Sequence, residues 1–268
     1  MKGLKIVVLA KQVPDTRNVG KDAMKADGTV NRAALPAIFN PEDLNALEQA
    51  LRIKDKIEGT TVHILTMGPG RAAEIIREAM YRGADGGYLL SDRAFAGSDT
   101  LATSYALACA LRNLQTDLLI CGRQAIDGDT AQVGPQVAED LDIPQVTYAW
   151  EVWPTEDGQH VRVKKELEEG FEILEMACPC AVTVTKPDYE PRFPTIKSKM
   201  AANKAKIPVL SAADCGLDVE RSGLKGSPTK VKKSFTPPRK EGGLKIKEET
   251  PEESAKKLYD LLRDKGII

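Results

Sequence analysis

The chain has 268 residues and balances 38 Lys and Arg against 39 Asp and Glu, for a formal net charge of −1. That length allows one large domain or one domain with an appendage, and the near-neutral balance gives no reason to expect nucleic acid or an anionic membrane as partner. No apolar run reaches bilayer-spanning length, and the opening MKGLKIVVLAKQ is too short and strand-like for a signal peptide, so the cytoplasm is the expected compartment.

The predicted elements alternate. LKIVVLA (4–10) is a short apolar run of the kind covered on both faces of a sheet. NPEDLNALEQALRIKDKI then predicts a helix, with Asn40 as cap, Pro41 as first helical residue, and Glu42 and Asp43 as first-turn acids. TVHILTM is the next strand, and GPGRAAEIIREAMYRG is a helix closed by Gly83. GGYLLSD is a strand, followed by a helix in SDTLATSYALACALRNL capped by Ser98 or Asp99. TDLLICG reads as a strand, TAQVGPQVAEDLDI as a helix, and QVTYAWEV as a further strand. This spacing predicts an α/β fold, a doubly wound and mostly parallel sheet with helices on both faces. Beyond about Val152 the pattern shifts. VRVKKELEEGFEILEMACPCAVTVTK alternates around a turn at 168–170, which predicts an antiparallel hairpin and one more strand.

The body is therefore expected to span 1–210. Residues 211–268 are expected to leave it as an arm, because KGSPTKVKKSFTPPRKEGG has little apolar periodicity and much Gly, Pro, Ser and Lys. The arm ends in a well-capped amphipathic helix, PEESAKKLYDLLRDKG, expected to pack on something other than this body.

In an open parallel sheet, ligands bind beyond the carboxyl ends of the strands. Four unusual loops arrive there: LAKQVPD, TMGPG, SDRAFAGSDT and CGRQAIDGDT. Two run into expected helix starts at 99–103 and 129–132, where free N–H groups and a positive dipole end favour an anion. Thr100, Thr103, Ser104 and Thr130 are small hydroxyl residues that let an anion approach, Gly122, Gly128 and Gly134 permit close backbone approach, and Arg123 adds a charged donor. A phosphate-bearing ligand follows, two phosphates being served better than one. Met67 and Gly68 could lie against a flat ring, although taken alone they read as core and turn. The chain lacks the P-loop pattern and a G-x-G-x-x-G after a strand. Asp127 and Asp129 have no His, Cys or Lys beside them in sequence, so no catalytic residues are assigned. Five scattered cysteines and two histidines assemble no zinc site, and no metal is expected.

KQVPDT, FNPEDLNALE, MGPGRA, SDRAFAGSDTLATS, GRQAIDGDTAQVGP, VKKELEEGFEILEMACPCAVTV and EPRFPTIKSKM, in this order, closely resemble the β subunit of electron-transferring flavoproteins. The resemblance implies an adenine-nucleotide α-hydrolase-like fold and a heterodimer with an FAD-carrying α subunit. It places a nucleotide site on Leu9, Ala10, Lys11, Asn40, Pro41, Asp43, Met67 and Gly68. It also places the site on Cys121, Gly122, Arg123, Gln124, Asp127, Gly128, Asp129, Thr130, Ala131, Gln132 and Val133. Simple carriers hold AMP there. Members that split electron pairs carry a segment like SDRAFAGSDTLATS, and Asp99, Thr100, Thr103 and Ser104 then give the second phosphate site that FAD requires. The resemblance thus implies FAD in place of AMP, NADH as transient donor, and Arg123 beside the reduced ring. It further implies ferredoxin or flavodoxin as one acceptor and an acyl-CoA dehydrogenase or enoyl-CoA reductase as the other. Thr195, Ile196 and Lys197 fall in the family's partner-docking loop, Ile196 replacing its leucine anchor.

Overall fold

The computed structural model describes residues 3–15, 36–229, 232 and 242–268. Strand β1 (Lys5–Leu9) lies at the centre of a nine-stranded sheet and is buried after Lys5. A two-stranded antiparallel ribbon follows, β2 (Gln12–Pro14) with β3 (Ala37–Phe39), and leads into helix α1 (Pro41–Lys56). Then come β4 (Thr61–Met67), α2 (Ala73–Arg82), β5 (Gly86–Leu90), α3 (Thr100–Arg112), β6 (Leu118–Gly122) and α4 (Val133–Leu141). Strand β7 (Gln145–Pro154) opens the antiparallel part, with β8 (His160–Leu167) and β9 (Gly170–Ala177), before β10 (Cys180–Val184) returns to the sheet. Helix α5 (Ile196–Lys204), edge strand β11 (Val209–Leu210), the short α6 (Gly223–Gly226) and α7 (Pro251–Asp264) complete the chain.

The strand order is β11-β5-β4-β1-β6-β10-β7-β8-β9. All pairings from β11 to β7 are parallel, and β8 and β9 extend the sheet antiparallel. The buried, charge-free runs of β1 after Lys5, of β6 and of β10 are what a strand covered on both faces requires. Ile6, Ile64 and Ile120 share one core with α1 and α2 residues, while Val7, Leu65 and Leu119 share the other with α3 and α4 residues. Winding goes from β1 outward through β4 and β5, then crosses back to β6. The order reverses between β1 and β6, where such sheets open a crevice.

One helix start differs from the sequence reading, and one expected cap lacks its side-chain bond. Asn40 occupies the cap position of α1 but its side chain makes no cap bond. Helix α4 begins at Val133, because Asp129 (φ 52°) and Ala131 (φ 53°) are left-handed and cannot belong to a right-handed helix.

Residues 211–229, which composition assigns to the arm, lie against the body. Ala212 and Cys215 are buried with the α3 core, and the backbone N–H of Gly223 donates to Ser98 Oγ at 3.1 Å. Most of the Pro- and Lys-rich stretch falls outside the described residues. Helix α7 is closed by a full capping box, Thr250 with Glu253, and no residue of it is buried. Among the described residues, no helix is long and apolar enough to cross a membrane.

Candidate functional site

A cavity of about 400 Å³ opens at the reversal point, within the roughly 300–1,000 Å³ usual for small-molecule sites. Its apolar wall comes from Leu9 at the tip of β1, Leu65 and Met67 at the tip of β4, and Leu107 on α3. The rest of its wall comes from Ala10, Lys11, Asp43, Cys121, Gly122, Arg123 and Gln124, from Gly128, Thr130, Ala131, Gln132 and Val133, and from Asp99, Thr100 and Thr103. Thr100, Thr103 and Leu107 fall on one helical face by their spacing. Gly134, expected to permit close approach, and Ala125, inside the expected 122–133 loop, line it as well, and Ser98, Leu65 and Leu107 do so without having been anticipated. Leu107 was legible as the next turn of the Thr100–Thr103 face.

The remaining expected residues lie off the wall, for separate reasons. Asn40 is fully buried and ties down the β6–α4 loop: its Nδ2 donates to the Gln124 carbonyl at 2.8 Å, and the Ile126 N–H donates to its Oδ1 at 3.3 Å. Pro41 only begins α1. Gly68 donates its N–H to the Leu90 carbonyl at 3.0 Å. Ser104 is fully buried and donates to the Leu101 carbonyl at 2.9 Å within α3. Asp127 pairs with Lys11 at 2.6 Å, and Asp129 accepts from Gln124 Nε2 at 3.0 Å.

The first turn of α1 is the loop's foundation. Asp43 accepts from the Lys11 N–H at 2.8 Å and from the Gly122 N–H at 3.2 Å, so one carboxyl joins the tips of β1 and β6 where their paths diverge. Burial pushes Asp43 up to about 7, against the lowering effect of these N–H donors. Gly122 must be glycine, since a Cβ there would stand 2.5 Å from Asp43 Oδ1. Glu42 accepts from Arg123 Nη2 at 2.8 Å. Thus Asn40, Glu42 and Asp43 hold residues 122–126 between them.

The two helix starts facing the cavity are unlike. At α3, Asp99 Oδ1 accepts from the Ala102 N–H at 3.1 Å and Oδ2 from the Thr229 N–H at 3.0 Å, and these bonds hold its carboxyl below the ordinary range although desolvation opposes them. At α4, no side chain caps the first turn. An anion at α4 meets an open helix end, whereas at α3 it meets a carboxylate. Thr100 Oγ1 donates to Gln132 Oε1 at 3.0 Å, bridging the two starts.

Thr195, Ile196 and Lys197 lie elsewhere, at the start of α5 against α2. Thr195 Oγ1 caps α5 by accepting from the Ser198 N–H at 3.1 Å, and its own N–H donates to the Tyr81 carbonyl at 3.0 Å. Phe193 and Ile196 are more than 80% exposed, at 87% and 82%, so the segment shows apolar side chains to solvent. Its inner side is fixed by Arg192, which forks onto Glu48 at 2.9 and 3.0 Å and adds Asp55 at 2.8 Å.

Residues 27–215 match the electron transfer flavoprotein domain. The chain belongs to the electron transfer flavoprotein family. It is 50% identical to the electron transfer flavoprotein subunit beta of Megasphaera elsdenii, over 98% of each chain. It is 46% identical to the caffeyl-CoA reductase-Etf complex subunit CarD of Acetobacterium woodii, over 99% of this chain and 100% of that one. Over 99% of this chain and 100% of the relative, it is 44% identical to the acryloyl-CoA reductase electron transfer subunit gamma of Anaerotignum propionicum.

Proposed function

We propose that this chain is the β subunit of a cytoplasmic heterodimer and holds FAD in the crevice between β1 and β6. In this reading NADH supplies a hydride, and the electrons part toward ferredoxin or flavodoxin and toward an acyl-CoA dehydrogenase or enoyl-CoA reductase. The observation that carries it is the convergence of three strand tips and two helix starts on one cavity. The relatives' names add weight, since one is a subunit of a caffeyl-CoA reductase-Etf complex and another an electron transfer subunit of an acryloyl-CoA reductase.

The residues fit a dinucleotide. Gly128 has nothing within 4 Å of where a Cβ would sit, and so leaves room beside the loop. The uncapped start of α4 and the hydroxyls of Thr130, Thr100 and Thr103 would hold phosphate oxygens, and Leu9, Leu65, Met67 and Leu107 would face the flat rings. Bound there, FAD would supply the acceptance of an electron pair and its release one electron at a time. The chain's part is to seat the ligand, to keep water off the apolar wall, and to set the local charge through Arg123.

A second reading has its own support. Asp99 places a carboxylate at the start of α3, leaving one open helix end, which suits the single phosphate of AMP in a simple electron carrier. In both readings α7 packs on the α subunit, and Ile196 anchors the dehydrogenase.

The deciding experiment is a nucleotide count. The chain is co-expressed with its α partner, purified without added flavin and denatured, and the released nucleotides are identified by chromatography. Two FAD per heterodimer support the FAD reading; one FAD and one AMP support the second.

A further inference from the structure

Helix α1 holds two arginines of distant loops, and it holds them differently. Arg192 forks onto Glu48 through two nitrogens, adds Asp55, and donates its backbone N–H to Glu48 Oε2 at 3.0 Å. Arg123 donates its backbone N–H to the Val184 carbonyl at 3.0 Å, but its guanidinium has one contact, Nη2 to Glu42 Oε1 at 2.8 Å, and its Nε is buried with no hydrogen-bond partner among the described residues. A single contact between partly exposed groups returns little stability. A buried N–H without an acceptor works against it by a comparable or larger amount. The resting position of Arg123 is therefore poorly secured. Arg123 already lines the cavity, and the other cation of that wall, Lys11, is paired with the nearly buried Asp127 at 2.6 Å.

We propose that Glu42 and Arg123 form an exchangeable ion pair: Glu42 holds the guanidinium in reserve, and an acceptor group on the crevice ligand draws it away. Glu42 is then a positioning residue that competes with the ligand for Arg123 and lowers the affinity of the empty site. This inference rests on the reading of the crevice as a nucleotide site.

A double-substitution cycle tests it on the heterodimer. Dissociation constants of added FAD and added AMP are measured by equilibrium dialysis, after mild removal of the crevice nucleotide, for wild type, Glu42→Gln, Arg123→Gln and the pair. Glu42→Gln frees the guanidinium, and tightening on the order of tenfold is expected. Arg123→Gln weakens binding, and Glu42→Gln has no further effect in that background. Equal tightening with and without Arg123, or no tightening, overturns the exchange. Circular dichroism guards against misfolding, and Glu42→Asp, which keeps the charge, should restore weaker, wild-type-like binding where Glu42→Gln tightens it. A wild-type heterodimer that binds neither nucleotide removes the crevice reading, and the exchange falls with it. Binding by wild type with purely additive substitutions removes the exchange alone.

Discussion

Helix α1 buries two carboxylates, Asp43 and Glu48, and the surroundings answer them in opposite ways. Asp43 meets two backbone N–H groups and raises its proton affinity to about 7, because those donors only partly replace lost water. Glu48 meets a guanidinium in fork geometry, which satisfies both oxygens at once. The crevice end of the helix is thus held by neutral donors and a single-contact ion pair. The end under the exposed Phe193–Ile196 segment is held by a fully engaged one. Preorganised groups bind with less ordering cost: Arg192 is set in advance, whereas Arg123 must change partners to act.

The largest test of this contrast is pH. Asp43 has a folded-state value of about 7 against an ordinary 3.8, so it favours folding below about pH 4 and loses that contribution as pH rises through 7. The gap corresponds to about 4 kcal/mol. Urea unfolding at pH 4.5 and 7.5 should show wild type losing more stability over this interval than Asp43→Asn; identical pH slopes would falsify the account of Asp43. Next is Arg192→Ala, which leaves Glu48 buried without its cation and should cost about 3 kcal/mol, read by the same denaturation. Gly122→Ala drives a Cβ into Asp43 and the α1 backbone and should cost roughly 1–3 kcal/mol. Its nucleotide content should also fall, since the same contact sets the loop. Smallest is Arg123→Gln, at under about 1 kcal/mol in stability. A loss matching that of Arg192→Ala would erase the distinction between the two ends.

Much of this was legible in the chain. The charge-free stretches inside β1, β6 and β10, the caps of α3 and α7, and the glycine closing α2 are local signals, and the elements formed where they point. The crevice was legible because strand-end loops must converge in a doubly wound sheet, and Thr100, Thr103 and the 121–133 loop do so. What escaped depends on distance or on conformation. Asn40 looks like a helix cap, but its partners, Gln124 and Ile126, lie far along the chain. Glu42 and Glu48 look like solvated helix charges until Arg123 and Arg192 arrive. The late start of α4 comes from left-handed Asp129 and Ala131, residue types that do not advertise that conformation as glycine does.

Strand order has a consequence for assembly in time. During synthesis β1, β4, β5 and β6 emerge in that order, with the β2–β3 ribbon after β1, and they form one contiguous block of the sheet, so they can pair as they are made. Strand β7 comes next, yet its place beside β6 belongs to β10, the later strand. Until β10 has emerged, β8 is the one strand partner of β7 in the sheet, alongside contacts with α1 such as Gln49 Nε2 to the Val152 carbonyl at 2.7 Å, and one edge of β6 has no strand partner. The middle of the sheet is therefore finished from the outside in. The strand that fills this place, β10, is later in the chain than both of its neighbours, so the edge of β6 that it covers, an exposed template for wrong pairing until then, is closed last.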